Sequence, residues 1–346
     1  MRQTVADNTW PQAIGRTIMT KKSFPITGLL SLITFAVLTL GAAGGAYAAP
    51  VGSASSFAAP GTLQLVSSSL SGDASTYWTP ERMRAAISGD VLAGPALARG
   101  ALSSASTAVE TGPPEKIAGT SKGGGTSLHQ NEDPIDHVGK VFFSMGAFNY
   151  VCSGNAVVSD NDSTVATAGH CVNEGPGAFV RNFVFVPAYL NGTAPYGIWP
   201  AKALYTTKQW STAGDIRYDT GFAVTATING QHLADVVGAS GVEFNMDRGL
   251  TYKAYGYPAA PPFDGQSLKS CSGDATKDAI NPQFKAQGIP CDMTGGSSGG
   301  PWMVNSDDDC YQNSITSYGY TGGPPVIYGP YWGSVIREAY KAASES

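Results

Sequence analysis

From Asn131 to its carboxyl terminus, the chain is a succession of short runs of β-forming residues separated by turn residues. The clearest runs are Lys140–Met145, Phe148–Cys152, Asn155–Ser159, Phe183–Pro187, Phe222–Thr227, Leu250–Tyr255 and Pro325–Tyr328. Many short strands without alternating helices are typical of antiparallel sandwiches and barrels. One good helical stretch follows, over Ser334–Ala343. The sequence therefore predicts an all-β fold with a C-terminal helix.

Charge and composition exclude several classes of protein. Only 14% of the 346 residues are charged, and the net charge is −5. Because Lys and Arg form no run longer than Lys21–Lys22, the chain lacks the basic surface that a nucleic-acid binder needs. Its 43 glycines and 22 prolines follow no three-residue period, which excludes collagen and indicates many turns.

The amino-terminal 48 residues have the pattern of an export signal. The basic pair Lys21–Lys22 precedes a mostly apolar stretch, Phe24–Leu40, and the small-residue exit Ala46–Tyr47–Ala48. This order predicts a secretory signal peptide over 1–48 and an extracellular protein. The alternative is a retained membrane anchor, which Pro25 disfavours. The sequence Met19-Thr-Lys-Lys22 favours a translation start at Met19, with 1–18 as a possible untranslated extension.

Residues 49–130 show little pattern. A short helix is expected within Pro80–Arg99, and Thr111–Thr126 contains Gly-Pro-Pro and Gly-Gly-Gly, which are typical of a linker. We interpret 49–130 as a propeptide and linker that is cut near the Gly-rich stretch. The alternative is a disordered leader. The functional domain would then be 131–346.

All five cysteines lie in the β-rich part of the chain. In an exported protein they are expected to pair, and the simplest pairing is sequential, Cys152 with Cys171 and Cys271 with Cys291. Cys310 is then an unpaired thiol, with an intermolecular bridge as the alternative. No metal site is expected, because there is no Cys-x-x-Cys and the four histidines do not cluster in the sequence.

Two segments combine residues that nucleophilic catalysis requires. Gly295–Pro301 places Ser298 among glycines, where a tight turn can present the hydroxyl and leave backbone N–H groups free to stabilise an oxyanion. A serine hydroxyl needs an adjacent base. His170, within Thr167–Cys171, is the best candidate among the four histidines.

These segments resemble the motifs of a known family. Thr167-Ala-Gly-His-Cys171 resembles the histidine motif of the chymotrypsin/trypsin-like serine peptidases. Gly296-Ser-Ser-Gly-Gly-Pro301 resembles their nucleophile motif, in the form carried by secreted bacterial trypsin-like and glutamyl-endopeptidase-type members. The resemblance covers about 131–346. It implies two antiparallel β-barrels, about 131–228 and 229–346, with the active site between them.

The resemblance also assigns roles. Ser298 would be the nucleophile, His170 the general base and Asp219 the acid that orients the imidazole, with the amides of Gly296 and Ser298 as the oxyanion hole and no cofactor. Asp219 precedes the apolar run Phe222–Val224, as the family requires. The alternative acid is Asp215, which Arg217 separates from that run.

Specificity depends on the residues around the pocket. Asp292 lies six positions before Ser298, the spacing of trypsin's pocket-base acid, and would favour Arg or Lys side chains by charge pairing. The alternative is an exposed loop acid. Ser317, Tyr318 and Gly319 resemble the pocket-wall strand that binds the substrate backbone. Glutamyl endopeptidases carry a histidine near this wall. Because Thr316 and Ser317 stand there in this chain, a preference for acidic side chains is not expected.

One departure from trypsin concerns activation. Ser297 stands where trypsin has the acid that pairs with the new amino terminus. Activation here should therefore not depend on that ion pair, although a propeptide can still block the cleft.

Other motif interpretations are weaker. Gly296–Gly300 fits the Gly-x-Ser-x-Gly elbow of α/β-hydrolases, but that fold needs a histidine after the serine, and the last one here is His232. Asp219-Thr-Gly resembles an aspartic-peptidase motif, yet no second copy occurs. The acidic run Asp307–Asp309 is expected to be a solvated loop rather than a calcium site.

The sequence thus predicts a secreted, monomeric serine endopeptidase made as a precursor. Its partners would be protein or peptide substrates, with no nucleic acid and no membrane after signal cleavage. The alternative from another class is a catalytically inactive homologue that serves as a secreted binding module.

Overall fold

Each run predicted after Asn131 overlaps a strand of the structure. A computed structural model describes residues 62–66, 74–102, 111–119, 130–306 and 309–346, all within one unit, Ser55–Ser346. The predicted signal peptide, the Gly-rich stretch 123–125 and Asp307 and Asp308 lie outside the described residues. None of the helices in the described ranges combines the length and apolar character needed to cross a membrane.

The elements are short. The strands are β1 (Thr62–Val66), β2 (Ile87–Ser88), β3 (Glu115–Ile117), β4 (Gln130–Asn131), β5 (Val138–Met145), β6 (Phe148–Val157), β7 (Thr164–Thr167), β8 (Arg181–Pro187), β9 (Trp199–Thr207), β10 (Gly221–Thr225), β11 (Gly241–Phe244), β12 (Thr251–Gly256), β13 (Lys269–Asp274), β14 (Thr276–Lys277), β15 (Gln287–Pro290), β16 (Pro301–Ser306), β17 (Asp309–Ile315), β18 (Tyr318–Gly319) and β19 (Val326–Gly329). The helices are α1 (Ala74–Tyr77), α2 (Pro80–Ala85), α3 (Gly94–Ala101), α4 (Lys208–Ala213), α5 (Leu233–Val237) and α6 (Ser334–Ser344).

The first half of the domain is a closed six-stranded barrel. Its strands run in the order β9-β10-β7-β6-β5-β8, and β8 pairs with β9 to close it. Strand β5 is buried on both faces: Val141 and Phe143 pack into the barrel core, whereas Phe142 packs outward against Trp78, with ring centroids 5.3 Å apart. The double burial explains why this strand is apolar nearly throughout and does not alternate.

The second half forms two sheets. One has the order β3-β11-β17-β16-β12-β13-β4, and the other has the order β14-β15-β19-β18. Helix α6 returns to the first half, where Tyr340 packs against Phe222, and the same ring packs against Phe244 of β11 in the second half. The all-β class with a terminal helix is therefore confirmed. Nearly all pairings are antiparallel; β2 with β6 and β11 with β17 are the parallel ones among the described strands.

The described parts of 62–119, which are 62–66, 74–102 and 111–119, have more structure than their sequence indicates. Strand β1 pairs with β9, β2 with β6 and β3 with β11. The single short helix expected within Pro80–Arg99 is instead two helices, α2 and α3, separated by β2 and a 3₁₀ turn, Gly89–Leu92. We call residues 74–119 the leader.

Candidate active site

His170 lies in a 3₁₀ turn, Gly169–Cys171, directly after β7. The disulfide Cys152–Cys171 ties this turn to β6. Gly169 is required there, because a Cβ would lie 2.8 Å from Oδ1 of Asp219 and 3.0 Å from the Trp210 ring. The Ala-Gly-His-Cys sequence thus lets a carboxylate approach the backbone beside the imidazole.

Asp219 holds His170 at two points. Its Oδ1 accepts a hydrogen bond from the His170 backbone N–H at 2.8 Å, and its Oδ2 lies 2.8 Å from Nδ1 of the ring. Both residues are fully buried. A proton on Nδ1, shared with the carboxylate, leaves Nε2 as the basic nitrogen. Asp215 is committed elsewhere, in an ion pair with Arg217 at 2.5 Å.

Ser317 completes the surroundings of the carboxylate. Its Oγ donates to Oδ2 of Asp219 at 2.6 Å, so that this buried carboxylate accepts three hydrogen bonds. The sequence around Ser317 predicts a substrate-binding strand and does not indicate this contact. No local motif reveals it, because the two residues are 98 positions apart.

Ser298 lies in the glycine-rich turn that precedes β16. Its carbonyl accepts a hydrogen bond from Ser153 N–H on β6 at 2.7 Å. Gly299 has φ +80°, and a Cβ there would overlap Thr167 Oγ1 on β7. Glycine at this position therefore allows the Ser298 turn of the second half to pack directly on β6 and β7.

The turn that carries His170 lies beside the Ser298 turn, with Cys171 Sγ 3.9 Å from Ser298 O, but no hydrogen bond joins the imidazole to Ser298 among the described residues. His170 Nε2 is buried and has no hydrogen-bond partner among the described residues. Catalytic hydrogen bonds of unliganded proteases are often long and tighten only when substrate binds. The arrangement provides an imidazole held by a buried carboxylate, in a turn that lies beside the Ser298 turn.

The amides of the turn divide into two sets. Ser297 N–H donates to Thr294 O and Gly299 N–H to Thr316 O. The amides of Gly296 and Ser298 have no acceptor within the part of the chain that the structure describes. Gly296 has φ +97°, a conformation that favours glycine. Two such amides can donate to one developing oxyanion.

A cavity of about 430 Å³ adjoins Ser298. Its lining includes Asp292, Tyr318 and Gly319, three of the residues assigned to substrate binding, whereas Ser317 turns toward Asp219. The hydroxyls of Tyr318 and Tyr320 both donate to Oδ2 of buried Asp278, at 2.8 and 2.7 Å. Burial and the neighbouring Asp278 carboxylate raise the pKa of Tyr318 well above its usual value.

The remaining cysteines form one disulfide and one free thiol, and the candidate metal ligands do not form a metal site. Cys271 and Cys291 form the second disulfide, and Cys310 is a buried free thiol. Cys152, His170 and Cys171 are the cluster of possible metal ligands in the described ranges. They do not fit a metal ion, because both sulfurs are in a disulfide and Nδ1 is bonded to Asp219.

Solved protease structures share this fold and much of this sequence. Protease Anisep from Arthrobacter nicotinovorans is 62% identical, with a TM-score of 0.62, over 63% of this chain and 100% of that one. The thermostable serine protease AL20, from an extremophilic microorganism, is 51% identical, with a TM-score of 0.58, over 61% and 98%. A Glu endopeptidase structure, 19% identical over 64% and 99% with a TM-score of 0.51, supports the fold alone. The chain belongs to the trypsin-like/glutamyl peptidase family of chymotrypsin-fold serine proteases, as its two motifs predicted.

A curated relative is more distant. It is named Extracellular metalloprotease, from Bacillus subtilis (strain 168), and is 25% identical over 179 residues. The match covers 51% of this chain and 46% of that protein, so the chain spans about half the length of this relative. No model of a protein family matches the chain.

Proposed function

We propose that this protein is a secreted serine endopeptidase, made as a precursor, in which Ser298, His170 and Asp219 form the catalytic triad. The observation that carries the proposal is the double hold of Asp219 on His170, through the backbone N–H and Nδ1, at the point where the Ser298 turn packs on β6 and β7. Family membership supports the peptidase class.

The proposed reaction follows from these positions. Ser298 Oγ attacks the scissile carbonyl carbon while its proton moves to His170 Nε2, and the amides of Gly296 and Ser298 stabilise the oxyanion. The C–N bond then breaks, and the same proton passes to the leaving amine. Water, deprotonated by His170, hydrolyses the acyl-enzyme. Asp219 stabilises the imidazolium in both halves of the reaction, and no cofactor takes part.

The substrates would be proteins and peptides. An extended peptide would add to the strand at Tyr318–Gly319 and place one side chain in the cavity beside Ser298. Asp292 lines that cavity and would favour Arg or Lys there. A peptide library tests this point: Asp292→Ser should abolish the basic preference, and an unchanged cleavage profile would exclude Asp292 from the specificity pocket.

The precursor organisation rests on other features. Disulfides form in oxidising compartments, and both bridges fit an extracellular protein. We propose a signal peptide over 1–48, a propeptide over 49–130 and a monomeric peptidase domain over 131–346. Anisep matches over its full length and 63% of this chain, about the share that 131–346 occupies.

Active-site labelling tests the function. A fluorophosphonate should label the processed protein at Ser298 and block its cleavage of casein. Ser298→Ala should remove both labelling and cleavage while it leaves the melting temperature nearly unchanged. A processed, folded protein that neither labels nor cleaves casein would instead fit an inactive homologue that acts as a binding module.

A further inference from the structure

The leader passes through the active-site junction. Strand β2 pairs with Tyr150 and Val151 of β6, the two residues before Cys152. The 3₁₀ turn that follows it, Gly89–Leu92, packs against the turn that carries His170. His170 is fully buried in this arrangement. A catalytic base must be reached by substrate, so the burial itself needs a cause.

Gly89 fits against the disulfide beside His170. The residue is buried, and a Cβ built on it would lie 2.6 Å from Cys152 Sγ and 3.1 Å from Val151 O. Neither atom belongs to a flexible side-chain end. The leader can therefore approach this closely only because position 89 has no side chain.

Asp90 fits against the Ser298 turn on the other side of the cleft. A Cβ on Gly295 would overlap the Asp90 carboxylate, and Asp90 lines the cavity that adjoins Ser298. Ser88 Oγ, Asp90 Oδ1 and His170 Nε2 are all buried and have no hydrogen-bond partners among the described residues. The contact thus removes polar atoms of both the leader and the catalytic base from water.

The segment that follows this turn contacts both halves of the domain. Arg99, on α3, donates to Gly175 O at 2.6 Å, five residues after His170. Gly100, at the end of the same helix, packs on Phe284 in the second half, and Gln283 donates to its carbonyl. The leader is therefore held on both halves of the domain by residues that follow Ile87–Leu92 in the chain.

We propose that Ile87–Leu92 is a tethered plug that closes the active site of the precursor and is not itself a substrate. A substrate lies extended along a strand, whereas the leader turns here through a 3₁₀ helix, and Asp90 O accepts a hydrogen bond from Ala93 N–H at 3.0 Å. The Asp90 carbonyl is therefore not bound by the amides of Gly296 and Ser298, as the scissile carbonyl of a substrate would be. The inference rests on the proposed function, since it assigns the regulation of the same site.

Matched glycine variants of the full chain test the plug. Gly89→Ala places a methyl group against the disulfide, whereas Gly94→Ala, five residues along the leader, meets nothing within 4 Å. The measurement is the rate at which a fluorophosphonate labels the band of full precursor size. We expect Gly89→Ala to label at least about tenfold faster than wild type, because the open fraction of the precursor rises, and Gly94→Ala to match wild type.

A second variant and a second measurement distinguish opening of the plug from misfolding of the domain. Arg99→Ala removes one attachment of α3 without placing any atom in the cleft, and should raise the labelling rate in the same direction by less. Hydrogen exchange should show loss of protection at 87–92 in Gly89→Ala, with β6 and β7 still protected. Loss of protection throughout the barrel, with Arg99→Ala labelling at the wild-type rate, would contradict the plug.

The remaining outcomes separate the two proposals. Equal, fast labelling of wild type, Gly89→Ala and Gly94→Ala would overturn the plug and leave the peptidase function intact. Absence of labelling in every precursor and in the naturally processed protein would overturn the function, and the plug with it.

Discussion

At the scale of single residues, the proposed catalytic base, His170, depends on how one buried carboxylate distributes its hydrogen bonds. Asp219 accepts from His170 twice and from Ser317 once. Asp219→Asn should lower kcat by about 10⁴, as in the enzymes that define this triad, because the amide selects the wrong imidazole tautomer.

Ser317→Ala removes one hydrogen bond to the charged Asp219 carboxylate, about 1.5–3 kcal/mol, so kcat should fall roughly 10- to 100-fold.

Steady-state kinetics on a peptide substrate measures both changes. Asp215→Asn is the matched control, since Asp215 pairs with Arg217, and it should leave kcat within a factor of about two, as expected of a partly exposed ion pair. A larger loss of kcat in Asp215→Asn than in Asp219→Asn would show that the wrong acid has been assigned.

Lys140 is a buried lysine on the outer face of β5. Its Nζ donates to Gly265 O at 2.8 Å and lies 4.4 Å from the ring centroid of Tyr189. Burial lowers its pKa from 10.5 to about 7, although Asp264 acts in the opposite direction. Between these two values the unfolded chain holds a proton that the folded chain has released, so stability rises as the pH increases through this window.

Lys140→Met should flatten that pH dependence. In a Ser298→Ala background, which prevents autolysis, wild type should gain stability between pH 7 and 9.5 more steeply than the variant, by at most about 1.4 kcal/mol per pH unit. Denaturant midpoints at several pH values measure the difference. The control is Lys202→Met, at an exposed lysine of the same barrel. Parallel curves for wild type and Lys140→Met would show that the amine stays protonated in the fold.

At the scale of elements, one wall of the cavity beside Ser298 is β18, a strand of two residues. Its backbone hydrogen bonds are too few to fix its position. Strand β18 pairs with β19 and with no other described strand, and its Tyr318 hydroxyl is fixed by Asp278 together with that of Tyr320. Oδ1 of the same carboxylate accepts the N–H groups of Ile280 and Asn281. Asp278 therefore positions the wall without lining the cavity.

Asp278→Ala should raise KM more than it lowers kcat. The substitution leaves two hydroxyls without their acceptor, at about 1–3 kcal/mol for each one that stays buried, and the wall shifts while the triad is untouched. Tyr320→Phe removes one of the two bonds and should have a smaller effect of the same kind. Asp274→Ala, at an exposed acid on β13, is the control. A fall in kcat at constant KM would argue against a positioning role.

The sequence predicted long elements better than short ones. The runs at Phe148–Cys152 and Ser334–Ala343 appear as β6 and α6, because burial of a continuous apolar face leaves a pattern in the residues themselves. Strands β2 and β18 have two residues each, too few to show a period, and they exist through their partners. The same limit hid the contact from Ser317 to Asp219, which depends on how two distant loops meet.

At the scale of the whole molecule, the described parts of the leader, 74–102 and 111–119, pack on residues 130–346, although the stretch that begins at Thr111 has a linker-like sequence. Strand β3 is held by two ion pairs, Arg337 with Glu115 and Lys116 with Glu243. Glu243 is fully buried on β11, so the leader supplies the only described cation that pairs with it. Such complementarity between distant segments leaves no local signal, which is why the extent of the leader could not be predicted.

The pair of Lys116 with Glu243 offers a test of how far the leader stabilises the precursor. The two residues face each other in the β3–β11 register, with Nζ 2.5 Å from Oε1, but neither Glu243 oxygen has a hydrogen-bond partner among the described residues. The contact is therefore mainly electrostatic. Lys116→Met leaves a buried carboxylate unpaired, and since Lys116 is partly exposed we expect about 2 kcal/mol of lost stability, below the range for a fully buried pair.

A double-mutant cycle on the full chain in a Ser298→Ala background measures this coupling. Glu243→Gln removes the charge that needs a partner, so Lys116→Met should cost little in that background. Lys341→Met, which breaks an exposed pair with Glu345 on α6, is the control and should change stability by less than about 0.5 kcal/mol. Equal costs of Lys116→Met with and without the Glu243 charge would mean that the leader is held by its backbone pairing, and that this ion pair adds nothing to the closed precursor.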